Sequence, residues 1–130
     1  MQSFTLVVYG SPDTQAASTA YNFAQALLKA GHQIYRLFFY QDGVFNACSF
    51  NTPPQDEENL PASWQTLIQE YDLDAVVCVA SALKRGIVND AEAERYDLAA
   101  SNLRKGFEIS GLGQLIDGVI QSDRVINFLP

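Results

Sequence analysis

Two cysteines are the side chains in this sequence best suited to covalent chemistry. Cys78 ends the apolar run AVVC, and Cys48 lies inside FNACSF. Cys78 is followed by VASAL and then by two adjacent cations, Lys84 and Arg85. A thiolate is the nucleophilic form of cysteine, and nearby cations and unpaired backbone N–H groups favour it. Cys78 before Lys84 and Arg85 is therefore placed for nucleophilic sulfur chemistry, including the holding of a persulfide anion. The competing reading is structural. Free cysteine often serves as a small buried apolar residue, and Lys84-Arg85 as a solvated turn. For Cys48 the structural reading is the stronger one, with a resolving thiol for Cys78 as the alternative.

No other residue type completes a site. The single histidine, His32, opens a predicted strand. In a parallel sheet that is the opposite end from Cys78, which argues against a Cys-His pair. Two cysteines and one histidine do not form a zinc motif, and the cysteines are not spaced C-x-x-C. Glu92, Glu94 and Asp97 read as ordinary partners of a helix start. The loop Gly10-Ser11-Pro12-Asp13-Thr14 has one glycine, a proline and an anion. A phosphate cradle wants free N–H groups without a nearby negative charge. No cofactor and no metal are expected.

The elements that position Cys78 follow from hydrophobic patterning. FTLVVY (4–9) is apolar without alternation, as in a strand buried on both faces. Asp13 is placed to cap a helix carrying Ala20, Phe23, Ala24, Leu27 and Leu28 at helical spacing. Gly31 is placed to end it, and HQIYRLFFY (32–40) reads as the second strand. Residues 41–61 form a long irregular stretch with apolar Val44, Phe45, Phe50 and Leu60. A stretch of that length usually marks function or an interface. A helix over 63–71 carries Trp64, Leu67 and Ile68, and residues 74–79 form the third strand. A helix starts near Asp90, and Phe107–Ser110 is a short strand or turn. A helix over 112–120 has Leu112, Leu115, Ile116, Val119 and Ile120 as its buried stripe. RVINFL (124–129) is the last strand. The alternation predicts one domain over residues 1–130. Its expected fold is α/β: flavodoxin-like and doubly wound, a mainly parallel sheet with helices on both faces.

Composition excludes several partners. There are 8 Lys+Arg against 15 Asp+Glu, a net charge of −7. Such a surface repels phosphate backbones, so no direct nucleic-acid binding is expected. No apolar run approaches the length of a membrane span, and the N-terminal stretch lacks the pattern of a secretory signal. The expectation is a cytoplasmic protein.

Longer motifs carry a likeness. CVASALKRGIV (78–88) and SNLRKGFEISGLGQL (101–115) resemble the DsrE/TusD sulfur-relay family, as do AASTAYNFAQALLKAGH (16–32) and FFYQDGVFNA (38–47). The likeness covers nearly the whole chain. It implies a cytoplasmic sulfurtransferase with a flavodoxin-like fold that accepts sulfur as a persulfide on one cysteine, here Cys78, without a cofactor. It also implies a heterohexamer with two related small subunits, and transfer to a small sulfur-accepting carrier protein. Dissimilatory sulfur oxidation is the favoured pathway. The alternatives are a relay for tRNA 2-thiouridine synthesis, a non-catalytic assembly subunit, and a flavodoxin-like binding protein. No family role attaches to Cys48.

Overall fold

The computed structural model describes all 130 residues. Strand β1 (Ser3–Val8) is buried on both faces after its first residue, as its unbroken apolar run requires. Helix α1 (Gln15–Lys29) turns Ala17, Ala20, Ala24 and Leu27 inward. Its cap is Thr14 rather than Asp13. Thr14 is the last extended residue, and its hydroxyl accepts the Ala17 N–H at 3.2 Å. The Asp13 carboxylate instead accepts the Ser11 hydroxyl. Gly31 ends the helix at φ +87°, a conformation natural to glycine, and the His32 N–H closes onto the Leu27 carbonyl. Strand β2 (Gln33–Phe39) follows.

The stretch after β2 is more ordered than its composition suggests. Gln41–Ala47 forms a 3-10 helix that buries Val44 and Ala47 completely. It lies so close to β1 that a Cβ on Gly43 would sit 1.9 Å from the Val8 carbonyl oxygen, so only glycine fits. Leu60 opens α2 (Leu60–Tyr71) and is buried with Trp64, Leu67 and Ile68. Of the four apolar residues noted in this stretch, Phe50 alone is exposed, at 61%. The others supply the core rather than an interface.

Strand β3 (Ala75–Cys78), α3 (Val79–Lys84), α4 (Asp90–Arg95), β4 (Phe107–Ser110), α5 (Gly113–Gln121) and β5 (Arg124–Phe128) complete the chain. All five strands are parallel, in the order β4-β3-β2-β1-β5. The first four strands step across the sheet one neighbour at a time. The chain then returns through α5 to place β5 beside β1.

Alternation along the strands divides the core in two. Leu6, Val8, Leu37, Phe39, Ala75 and Val77 join α1 and α2 in a cluster of 21 buried residues. Val7, Phe38, Val76 and Cys78 point to the other face, where Leu115 of α5 packs against them. Helices thus cover both faces of a parallel α/β sheet, as expected, but very unequally. Cys78 belongs to the thinly covered face.

The contact of α5 with the sheet corrects the expected stripe. Leu112, Ile116, Val119 and Ile120 are 46–70% exposed, and Gly118 is the helix's one buried residue. Leu115 alone of the stripe meets the sheet, and the helix otherwise rests on small and polar groups. Thr5 donates its hydroxyl to the Gly118 carbonyl at 3.2 Å, and a Cβ on Gly118 would meet that oxygen at 2.8 Å. Arg36, buried on β2, donates to the Gln114 carbonyl at 2.9 Å and to Asp117 at 2.8 Å, while Asp74 receives its other nitrogens. Patterning identified the apolar stripe. It could not show that this polar clamp would turn the stripe outward.

The clamp makes stability depend on acid. Hydrogen bonds from Tyr35 and then Arg36 hold the Asp117 carboxyl below its ordinary value. A lowered carboxyl stabilises the fold above the unfolded value of ~3.9 and loses that contribution as pH falls through the folded value. Urea midpoints measured from pH 6 to pH 2 are expected to fall less steeply for Asp117→Asn than for the parent. Equal slopes would refute the role.

Candidate functional site

Cys78 ends β3 and is also the cap residue of α3, with φ −60° and ψ 123°. It is 2% exposed. Its position at the carboxyl edge of a parallel strand is where open α/β sheets build their sites. A cavity of about 500 Å³ opens there, lined by Cys78, Tyr40, Gln41, Ser81, Lys84 and Leu112, among others. The thiol is thus buried in the fold yet borders a space large enough for added sulfur.

Two segments wall this space, and both are tied down. Tyr40 packs against Tyr9 and Phe38, with ring centroids 5.6 and 5.9 Å apart. Gln41 has φ +50°, a left-handed conformation that costs a non-glycine residue. Its N–H donates to the Ser81 hydroxyl at 3.0 Å, which holds the loop after β2 against α3. Asp42 accepts from Arg85 at 2.8 Å, and Arg85 also donates to the Ser81 carbonyl at 3.2 Å.

The two predicted cations therefore separate. Lys84 is the last residue of α3, exposed and in no ion pair, and Arg85 caps the helix. Arg85 is paired with Asp42 and acts as a strut. Lys84 lines the cavity with its charge uncompensated. The basic turn of the sequence reading is a helix end with one strut and one free charge.

The other candidates lie elsewhere. Cys48 is half-buried and packs against the large core on the α1/α2 side, whereas Cys78 belongs to the cluster on the α5 side. Its carbonyl accepts from Arg104 at 3.2 Å. His32 accepts the Gln2 N–H on Nδ1 at 3.1 Å and stands edge-on to Phe4 at the far end of the sheet. Glu92 sits in the first turn of α4, where Asn89 supplies the cap. No three His, Cys, Asp or Glu residues are grouped to hold a metal ion, and no helix is long and apolar enough to cross a membrane.

Sequence reading places Ser81 in the loop after Cys78 without giving its side chain a role, and it missed Gln41, Asp42, Tyr40 and Leu112 as parts of the site. Ser81 carried a signal, since it stands three residues after Cys78 and shares its side of a helix. The others arrive from distant segments and carried none.

A parallel α/β sheet with a cysteine at a strand's carboxyl edge marks a small thiol-bearing α/β protein. The chain belongs to the DsrE/DsrF-like family, whose model matches residues 2–128. It is 50% identical over 114 residues to the DsrE protein of Allochromatium vinosum, covering 88% of each chain. It is 46% identical over 125 residues to a protein of Pseudomonas aeruginosa named sulfurtransferase TusD homolog, covering 96% of this chain and 95% of that one. The E. coli ychN protein has the same fold, with TM-score 0.79 at 21% identity over 98% of this chain and all of the other.

Proposed function

We propose that this protein is a sulfurtransferase that carries sulfur as a persulfide on Cys78 within a protein relay. The observation that carries the reading is the buried strand-end thiol opening onto a walled cavity beside an unpaired Lys84. The likeness to proteins named as sulfurtransferases supports it.

The transfer needs only thiol chemistry. The Cys78 thiolate attacks the outer sulfur of a donor persulfide. A bond forms between Sγ and that sulfur, the donor's S–S bond breaks, and the donor leaves as a thiolate. No net oxidant or reductant is required. An acceptor thiolate repeats the step on the outer sulfur and releases Cys78. Lys84 balances the negative charge of the loaded sulfur. The partners are two related small subunits in a heterohexamer and a small acceptor protein, in the cytoplasm, and the pathway is dissimilatory sulfur oxidation. Incubation with a persulfide donor should add about 32 Da, removable by reductant, as for other reversible cysteine caps. A chain that never takes up this mass overturns the reading.

The two cations should differ in kind. Lys84→Ala is expected to slow alkylation of Cys78 by a neutral reagent about threefold at low salt. That difference should shrink at high salt, because water and ions screen an exposed charge. Arg85→Ala releases the loop that carries Asp42, so it should lower the melting temperature, which Lys84→Ala should leave near the parent's. Alkylation rates at two ionic strengths and thermal melts check both. Equal melting temperatures in the two variants would contradict the division.

A further inference from the structure

We infer that the Ser81 hydroxyl is the hydrogen-bond donor that holds the sulfur carried on Cys78. The inference rests on the persulfide reading and assigns a second residue to the same site. Ser81 is 6% exposed and lines the cavity with Cys78. Its oxygen accepts the Gln41 N–H at 3.0 Å and makes no other hydrogen bond. A hydroxyl carries one proton to donate as well as lone pairs to accept with. That proton has no protein acceptor, and a buried donor left unmatched is costly.

The cavity offers few alternatives. Asp42 is exposed and engaged by Arg85. Ser81 makes no hydrogen bond to the bare Cys78 thiol, so the acceptor assigned to this proton is the sulfur added when Cys78 is loaded. Cys78 caps the helix in which Ser81 occupies the third position, one turn away, and no side-chain cap bond is made by the thiol. A loaded persulfide presents an anionic outer sulfur to this wall. Tyr40 also borders the cavity, but it is half-buried, so water can satisfy its hydroxyl. Gln41 fixes the direction of the donor. By donating to the Ser81 oxygen it occupies one lone pair, which leaves the proton to point away from the loop. The left-handed backbone at Gln41 is the strained conformation from which this N–H reaches Ser81.

The test compares the parent with Ser81→Ala and Ser81→Thr, each loaded from a small-molecule persulfide donor. Alanine is the best helix former, so the helix should persist, and thermal melting checks this. Two readouts are taken. The first is the rate at which a phosphine removes the outer sulfur, forming a phosphine sulfide and freeing the Cys78 thiolate. Hydrogen bonds to charged groups are among the stronger ones, so Ser81→Ala should be unloaded about tenfold faster. The second is the near-ultraviolet band of the loaded protein. It should move to longer wavelength when the lone pair on sulfur loses its donor, and a purely structural serine would not move it. Ser81→Thr keeps the hydroxyl and should restore both. Normal loading with parent-like unloading and an unmoved band in Ser81→Ala overturns the assignment of Ser81. So does a folded Ser81→Thr that behaves as Ser81→Ala. Failure of every chain, parent included, to load sulfur overturns the persulfide reading instead.

Discussion

Cys78→Ser is expected to abolish sulfur uptake completely, while Cys48→Ser leaves the adduct of about 32 Da intact. The asymmetry follows from where the two thiols lie. Cys78 stands at the carboxyl edge of an inner strand and borders a cavity of about 500 Å³. Cys48 packs against the large core beyond the other face of the sheet, with its backbone bridged to Leu103. A serine oxygen at position 78 fits the same space but cannot accept sulfur by thiol exchange, so the loss should be total. Intact-mass measurement after loading reads this directly. A loaded Cys78→Ser chain would move the carrier role elsewhere, and a Cys48→Ser chain unable to load would make Cys48 part of the relay.

Cys78, the proposed carrier, could be singled out in the sequence because its signal is local. An unbroken apolar strand, a cysteine at its end and a basic pair soon after need no tertiary information. Most elements were legible for the same reason. The 3.6-residue spacing of α1 and the glycine that ends it specify each other, and the strands read as continuous apolar runs. What escaped depended on contacts between distant segments. Arg85 looked like a second activating charge until Asp42, far away in sequence, appeared as its partner at 2.8 Å. Val44 and Leu60 looked like exposed loop residues because nothing in the sequence shows Gly43 passing beneath the Val8 carbonyl. The apolar stripe of α5 was seen, and its burial was inferred from the usual rule for amphipathic helices. The rule holds only when the stripe faces the chain's own core.

That stripe yields the other large expected effect. Ile116 and Ile120 are 60% and 70% exposed, with Leu112 and Val119 beside them on the helix. A contiguous apolar face of this kind marks an interaction surface. It lies on the thinly covered side of the sheet, and Leu112 also lines the Cys78 cavity, so a subunit docked on α5 would stand beside the sulfur. If the proposed related subunits dock here, Ile116→Asp with Ile120→Asp should prevent that assembly while leaving the isolated fold intact. Each isoleucine buried at an interface contributes about 1.5–3 kcal/mol, and forcing a carboxylate into that place costs more. At 1.4 kcal/mol per tenfold, the pair should weaken association by about a thousandfold or more. Co-expression followed by sizing reads the assembly, and a melt of the isolated chain reads the fold. Because α5 is held to the sheet through Arg36, Thr5 and Gly118, the melting temperature should stay near that of the parent. An undiminished complex would show that the face is not the docking surface. A lost complex with a collapsed melt would show that the stripe serves the chain's own stability instead.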